Sequence, residues 1–317
     1  MRLLAAALLS ALAASAAGLA LARDATPAAP ARARANSPRE YGCPILPASN
    51  PINEDISHAR ADPNSARYIA AIGASGHLHA DFGANPSYGI PYVVVSRKQP
   101  KVPIHFTEYG EESNPGPYPV PPDAPVEGAG EEGDEHVLVL QRSTCRLYEL
   151  YHARRSGSGW EAGSGAVFNL RSNALRPEGW TSADAAGLPI FPLLARYPEV
   201  RAGSIDHALR VTVAQTQRGY IHPATHFASE SSDEDLPPMG LRLRLKASFD
   251  LAPYHGQALV ILRALKRYGL IVADNGSSWY ITGAPNPGFD DADLEQLKRV
   301  PGSAFEAVET GPILHRG

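Results

Sequence analysis

The chain has 317 residues, a formal net charge of −4 at pH 7 and a hydrophobic fraction of 44%. A chain of this size can form one large domain or two small ones with a sizeable core. The slightly acidic balance lacks the clustered basic excess of nucleic-acid-binding proteins, so we expect no nucleic-acid partner.

Residues 1–22 are predicted to be a secretory signal peptide. Arg2 supplies the positive end, the run from Leu3 to Leu21 is almost wholly apolar, and Ala20-Leu21-Ala22 forms a small-x-small cleavage site. A membrane anchor is the alternative, although the apolar run is near the lower limit for a bilayer span. We expect a secreted or periplasmic protein without membrane association once the signal is removed.

Residues 23–39 are rich in Ala, Pro and Arg and are predicted to be a flexible linker, which leaves residues 40–311 as a single globular domain. Cys43 and Cys145 are the only cysteines, and an oxidising compartment favours a disulfide between them. Two buried free thiols are the alternative. In the chain-entropy model, closing a loop of about 100 residues stabilises the fold by about 4 kcal/mol.

The segment from Gly76 to Gly83 holds the first candidate site residues. On a strand, His79 and Asp81 share one face and could act as a pair of ligands or as an acid–base pair. A hydrogen-bonded pair near the end of a sheet is the structural alternative.

Acidic residues and prolines dominate the segment from Tyr109 to Glu135. A connection of this length in a compact domain is either functional or mobile. A solvated acidic loop is the leading interpretation, and a calcium site is the alternative because clustered carboxylates suit that ion.

Asp184 is a second candidate carboxylate, placed in a short helical turn. Thr181 and Asp184 have the spacing of a capping box, which would be a structural role. In the functional interpretation, Asp184 lies beside Trp180, whose ring could stack on a sugar.

Tyr220 and His222 face the same way if they lie on a strand, and they could serve as general acid and base. Strict alternation from Leu241 to Lys246 predicts that Arg242 and Arg244 point outward. These arginines face either solvent or, with Arg210 as a neighbour, a groove that binds the carboxylates of an acidic polysaccharide.

The stretch from Asp250 to Gly283 has the clearest pattern. Apolar residues crowd a helix from Gln257 to Tyr268, which predicts a mostly covered helix at the centre of the fold. Asn275-Gly276 between apolar runs predicts a hairpin with a type I′ turn.

In that hairpin Asp274 would share an apolar face with Leu270, Val272 and Trp279. Burial there would raise the pKa of Asp274, as suits a catalytic acid, and Trp279 could form one wall of a sugar subsite. An ordinary turn residue is the alternative for Asp274.

Many short strands and few helices predict a β-rich domain, mainly an antiparallel sandwich or barrel-like, with one central buried helix and a few short helices. The chain has no glycine-rich phosphate loop, no Gly-x-Ser-x-Gly elbow and no His-Glu-x-x-His motif. These absences argue against a nucleotide enzyme, an α/β-hydrolase and the commonest zinc proteases.

Five blocks that together cover most of the mature chain resemble blocks found in a group of exported bacterial proteins. They are His79 to Gly83, Asn114 to Pro119, Ser164 to Gly187, Tyr220 to Ser229 and Pro237 to Gly283. The resemblance implies export and a single folded unit. It implies no activity, so no catalytic residue is carried over.

The leading functional hypothesis is an exported enzyme that acts on extracellular polysaccharide, with no cofactor and no tightly bound metal. Hydrolysis would use two carboxylates chosen from Asp81, Asp184 and Asp274, one of them as general acid.

Lyase chemistry is the other enzymatic route. It would use Tyr220 or His222 as the base, with Arg242 or Arg244 neutralising a uronate.

Two further alternatives come from other classes of protein. The first is a non-catalytic glycan-binding or cell-surface protein. The second is a metal-dependent hydrolase whose ligands would be His79, Asp81, His222 and His226.

Overall fold

The computed structural model describes residues 37–130 and 133–316, which belong to one compact unit. The predicted signal peptide and most of the predicted linker lie outside the described residues. Arg39, the last linker residue, already pairs with Pro44 in a two-stranded sheet. No helix in the described part of the chain is long and apolar enough to cross a membrane.

The strands are short and are numbered in chain order. They are β1 (Arg39–Glu40), β2 (Cys43–Pro44), β3 (His79–Asp81), β4 (Tyr92–Val95), β5 (Ile104–Phe106), β6 (Val137–Gln141), β7 (Arg146–Tyr151), β8 (Arg154–Ser156), β9 (Gly159–Ala162), β10 (Ser164–Asn169), β11 (Leu209–Val213), β12 (Arg242–Leu245), β13 (Leu270–Asn275), β14 (Tyr280–Thr282) and β15 (Phe305–Ala307).

Helices are few and mostly short. The α-helices are α1 (Ser65–Ile72), α2 (Tyr197–Ala202), α3 (Gly256–Arg267) and α4 (Asp291–Leu294). The 3-10 helices are Pro51–Asn53, Gly110–Glu112, Glu127–Gly130, Phe191–Leu193, Glu295–Arg299 and Gly302–Ala304.

The largest sheet has six strands in the order β15-β12-β13-β11-β14-β3. It is mixed, because β11 runs parallel to β13 and β14 runs parallel to β3, whereas the other neighbours are antiparallel. Strands that are far apart in the sequence are neighbours in this sheet, so their polar side chains can meet.

A second sheet, in the order β10-β7-β6-β4, is covered on both faces at β6, whose five residues are all buried. Leu138 and Leu140 point into the large core that includes the six-stranded sheet. Val137 and Val139 point into a smaller core with Trp160 of the three-stranded sheet β5-β9-β8. This division follows from the two-residue period of a strand.

The fold is therefore β-rich as predicted, but its sheets are mixed and antiparallel, and none closes into a barrel among the described residues. The predicted central buried helix is not confirmed. In α3, Ile261 and Leu265 are fully buried, but Arg263 and Arg267 are exposed and Leu259 is only half-buried. The helix covers the sheet with one side and leaves the other in water.

The predicted Asn275-Gly276 hairpin is wrong. β13 and β14 do not pair with each other, because β11 lies between them and pairs with both. The connecting loop crosses the end of β11, where Thr212 Oγ1 donates to the carbonyl oxygen of Ser277 at 2.6 Å. The positive φ falls on Trp279, at 67°, instead of on the Asn-Gly pair.

The predicted disulfide is confirmed. Cys43 and Cys145 are bonded across 102 positions of the sequence, and both are fully buried. The bond ties β2 to the turn between β6 and β7, and both cysteines belong to the large core.

Candidate active site

Three neighbouring strands of the six-stranded sheet place a row of polar side chains on one face. Thr282 of β14 is the register partner of Asp81 of β3. The Thr282 hydroxyl accepts a hydrogen bond from Arg210 Nη1 of β11 at 2.8 Å. Because opposed residues on adjacent strands point to the same face, Arg210, Thr282 and Asp81 lie side by side.

A β-bulge in β13 brings Asp274 to the same face. The register between β11 and β13 shifts so that Thr212 pairs with Asp274, and Ala273 is left as an extra residue in the ladder. Without this shift Thr212 would face Ala273, and Asp274 would point to the opposite side of the sheet. In the bulged strand, Asp274 Oδ2 lies 3.4 Å from Arg210 Nη2.

Asp184 reaches the same guanidinium from a loop that is bonded to the bulge. Ala186 N donates to the carbonyl oxygen of Ala273 at 3.0 Å, and Asp184 N donates to Ser182 Oγ at 2.9 Å. Asp184 is buried, and its Oδ1 accepts from Arg210 Nη2 at 2.6 Å. Its Oδ2 has no hydrogen-bond partner in the described part of the chain.

A single guanidinium between two carboxylates sets the electrostatics of this group. Burial raises the pKa of Asp274 to about 7; the negative charge of Asp184 adds to the rise and Arg210 opposes it. Burial also raises the pKa of Asp184, against the attraction of Arg210. Burial alone would lower the pKa of Arg210, but the two carboxylates raise it above its ordinary value, so Arg210 stays charged.

His136 and Glu127 form a second charged pair near Asp184. His136 Nδ1 lies 2.5 Å from Glu127 Oε2, and His136 Nε2 lies 2.8 Å from the carbonyl oxygen of Ala183. Both ring nitrogens donate, because a carboxylate and a carbonyl oxygen only accept, so the ring is an imidazolium. Burial alone would lower the pKa of His136, but Glu127 raises it to about 9.

A cavity of about 170 Å³, which we call the acidic cavity, opens beside Asp274 and Asp184. Its remaining lining residues are Tyr109, Asp134, Tyr151, Ser164, Thr181, Ser182, Ala183, Ala185, His226, Ala228 and Asn275.

His79 lines a different and larger cavity of about 360 Å³, together with Lys298. Its ring stacks on Tyr280 with the centroids 4.1 Å apart. Burial lowers the pKa of His79, and the charge of Lys298 lowers it further. Burial raises the pKa of Asp81, which stands in the row with Arg210.

Tyr220 and His222 converge on Glu178, a residue that the sequence analysis did not single out. The Tyr220 hydroxyl donates to Glu178, and His222 Nε2 lies 2.8 Å from its other carboxylate oxygen. None of these three lines the acidic cavity, whereas His226 does. The four ligands of the metal-hydrolase alternative are therefore dispersed, since His79 and His226 line different cavities and His222 lines neither.

Arg242 and Arg244 do not point outward, so this prediction is wrong. β12 lies inside the sheet, and both side chains are buried. Arg242 donates to the carbonyl oxygens of Tyr268 and Pro51, at 2.6 and 2.7 Å. Arg244 binds the Glu306 carboxylate at 2.6 Å. These guanidinium groups satisfy acceptors within the fold and are not available to a substrate.

Trp279 cannot form the wall of a sugar subsite, because it is fully buried. Its indole Nε1 donates to the carbonyl oxygen of Gly73 at 2.8 Å, and its ring stacks on Phe305. Trp180 is half-buried and does not line the acidic cavity; its ring centroid lies 5.6 Å from the guanidinium of Arg176.

Sequence reasoning missed the pair of His136 and Glu127 and the linking role of Arg210. Arg210 alternates with apolar residues, which is also the pattern of an outward-facing strand residue. A histidine directly after an acidic segment, as in Asp134-Glu135-His136, is the signal that could have indicated the buried ion pair.

Glu127, Asp134 and His136 come closest to a metal site. One ligand atom from each lies within 4.8 Å of the others, and no other such group occurs among the described residues. Both ring nitrogens of His136 are already hydrogen-bonded, so it could bind an ion only by releasing Glu127 or Ala183. The arrangement fits an ion pair better than a metal centre.

No protein-family model matches the chain, and neither a curated protein nor a solved structure matches it at a significant level. Function is therefore argued from the site itself.

Proposed function

We propose that this protein is an exported glycoside hydrolase that cleaves extracellular polysaccharide. The observation that carries the proposal is the carboxyl group of Asp274, which borders a cavity and whose pKa is raised by burial and by Asp184 to about 7. A carboxylic acid that is still protonated near neutral pH is what the general acid of a glycosidase requires.

Asp184 is the second carboxylate of the proposed mechanism. It lies closer to Arg210 Nη2 than Asp274 does, at 2.6 Å against 3.4 Å. When the two carboxylates hold one proton between them, it therefore resides on Asp274, and Asp184 is ionised. A negative charge at the cavity would stabilise the positive charge that develops on the sugar ring.

In the proposed reaction, Asp274 donates its proton to the glycosidic oxygen as the bond to the anomeric carbon breaks. The electron pair of that bond stays with the leaving oxygen. A water molecule then bonds to the anomeric carbon and supplies the hydroxyl of the new reducing end, and its second proton passes to the Asp274 carboxylate, which restores the acid. Arg210 holds both carboxylates in position, and Thr282 in turn fixes the guanidinium through its 2.8 Å hydrogen bond.

A lyase has less support than a hydrolase. Proton abstraction beside a uronate needs cations that neutralise its carboxylate, and Arg242 and Arg244 are bonded inside the fold instead. The acidic cavity is lined by three carboxylates, from Asp134, Asp184 and Asp274, which would repel a uronate.

Export is part of the proposal. It is supported by the predicted signal peptide, by the resemblance to exported proteins and by the Cys43–Cys145 disulfide, which fits an oxidising compartment.

The test is incubation of the purified protein with a panel of neutral, amino and acidic polysaccharides. Release of reducing ends without absorbance of an unsaturated sugar is the expected result. Asp274→Asn should abolish the release, whereas Asp123→Asn, an exposed acid outside the cavity, should leave it unchanged. Binding without release on every polysaccharide would favour a non-catalytic glycan-binding protein, and an unsaturated product would favour a lyase.

A further inference from the structure

The acidic cavity carries an unbalanced charge. Asp134, Asp184 and Asp274 contribute three carboxylates, and no lysine or arginine stands among its lining residues in the described part of the chain. Arg210 lies beneath the cavity and its shortest contact is with Asp184. With Asp274 protonated, the negative charges of Asp134, Asp184 and Glu127 outnumber the positive charges of Arg210 and His136 by one. His136 lies within 4.8 Å of the exposed Asp134 but is already hydrogen-bonded to Glu127, which leaves the excess negative charge at Asp134.

The hydroxyl groups of the cavity wall have already donated their hydrogen bonds inward. Ser164 Oγ donates to the carbonyl oxygen of Ser182 at 2.6 Å, and Ser182 Oγ donates to that of Leu188 at 2.6 Å. Thr181 Oγ1 donates to the carbonyl oxygen of Asp184 at 3.3 Å. These side chains can accept from a ligand but have no second proton to give.

His226 presents one free ring nitrogen. Its Nδ1 lies 2.7 Å from the carbonyl oxygen of Ala185, so that nitrogen carries a proton. The other nitrogen, Nε2, has no hydrogen-bond partner in the described part of the chain. The carboxylates and the wall oxygens make the cavity rich in acceptors and in negative charge. Its side-chain donors include the hydroxyls of Tyr109 and Tyr151, the amide of Asn275 and the protonated form of Asp274.

A ligand that fits such a wall must bring its own donors and a positive charge. We infer that the acidic cavity takes an amino-sugar unit, with its ammonium group bound by Asp134 and its hydroxyls donating to the wall oxygens. Tyr109 and Tyr151 supply aromatic rings that can contact the face of the sugar and the ammonium. The inference rests on the proposed glycosidase function and narrows its substrate to a polysaccharide with free amino groups.

The test compares oligosaccharides of glucosamine with the same oligosaccharides fully N-acetylated, and with oligogalacturonate, at pH 6. The wild-type protein should cleave the glucosamine oligomers at lower KM than the acetylated ones and leave oligogalacturonate uncut. Asp134→Asn should raise KM for the glucosamine oligomers about fivefold, since it removes one partly solvated ion pair. Its KM for the acetylated oligomers should not change, and Asp123→Asn is the matched control from the same acidic segment.

Equal KM values of the wild type for both forms, or an equal effect of Asp134→Asn on both, would overturn the inference. If the wild type cleaves none of these or other polysaccharides, the proposed hydrolase function is rejected. Titration calorimetry with the same glucosamine oligomers then tests whether the acidic cavity binds an amino sugar. Binding that weakens in Asp134→Asn would support the amino-sugar site alone, and absence of binding would overturn it.

Discussion

Asp274 faces Arg210 because Ala273, the residue before it, is an extra residue in the ladder between β13 and β11. In a regular strand Asp274 would share a face with Leu270 and Val272, as the sequence pattern predicts. The extra residue Ala273 breaks this alternation and turns Asp274 to the side of Thr212. Nothing in the letters Leu-Ile-Val-Ala-Asp-Asn marks a bulge, because its position depends on the partner strand.

The raised pKa of Asp274 predicts the pH dependence of catalysis. A general acid works only while it is protonated, so kcat/KM should fall as the pH rises through about 7, the pKa of Asp274 in the free protein. The profile is measured by reducing-end release between pH 4 and 9. Activity that instead rises through neutral pH would mean that the deprotonated form of the site is the active one.

Arg210 carries a large share of the local stability. Arg210→Met should lower the free energy of unfolding by roughly 3 to 5 kcal/mol, because the buried carboxylate of Asp184 loses its cation. The double variant Arg210→Met/Asp184→Asn should recover part of this loss, since the uncompensated charge is gone. Urea unfolding followed by circular dichroism measures both, and equal stability of Arg210→Met and wild type would refute the account.

At the scale of elements, local patterns identified segments better than their pairing. The alternating stretch from Leu241 to Lys246 contains strand β12, and the helix predicted from Gln257 to Tyr268 is present as α3. The pairing of β13 with β14 was predicted because the two segments are adjacent in the sequence. In the structure β11, which precedes β13 in the chain by the whole stretch from Ala214 to Gly269, lies between them. Long-range insertion of a strand leaves no trace in the sequence of the loop that spans it.

Trp279 joins the loop over β11 to the large core, and its role is predicted to be structural. Trp279→Ala should lower the free energy of unfolding by about 3 to 5 kcal/mol, as expected for a fully buried tryptophan. Trp279→Phe should lower the free energy of unfolding by less than Trp279→Ala does. Below its melting temperature, the Trp279→Phe variant should cleave polysaccharide at the wild-type rate. A selective loss of activity in a stable Trp279→Phe variant would return this residue to the substrate site.

At the scale of the whole molecule, the disulfide was predictable and the distribution of charge was not. Two cysteines in an exported chain have only each other as partners, so the pair Cys43–Cys145 followed from composition. Arg242 and Arg244 alternate with leucines in the manner of surface residues, and only the burial of all four residues of β12 shows that the strand is covered on both faces.

The disulfide gives a prediction that is independent of function. The unfolded, unreduced protein should show no free thiol in a titration with a thiol reagent, and Cys43→Ser/Cys145→Ser should be less stable by about 4 kcal/mol in the chain-entropy model. Two titratable thiols in the exported protein would contradict both the bond and the oxidising compartment.

The candidate site combines carboxylates that the sequence suggested with partners that it did not. The sequence places Asp184 in a short helical turn and Asp274 on the apolar face of a hairpin, and the fold brings both to one guanidinium. The cation Arg210 comes from one other segment, and the imidazolium of His136 and the wall carboxylate of Asp134 come from a second. Their convergence depends on tertiary packing, which no short motif encodes.

The most direct measurement of the central claim is the dependence of Asp274→Asn activity on the leaving group. General acid catalysis matters for a sugar leaving group, which must be protonated, and matters little for dinitrophenolate, which departs unaided. Asp274→Asn should lose at least about 100-fold in kcat/KM on polysaccharide and keep most of its activity on a dinitrophenyl glycoside of the same sugar. Full activity on polysaccharide, or an equal loss on both substrates, would contradict the role of Asp274 as the acid.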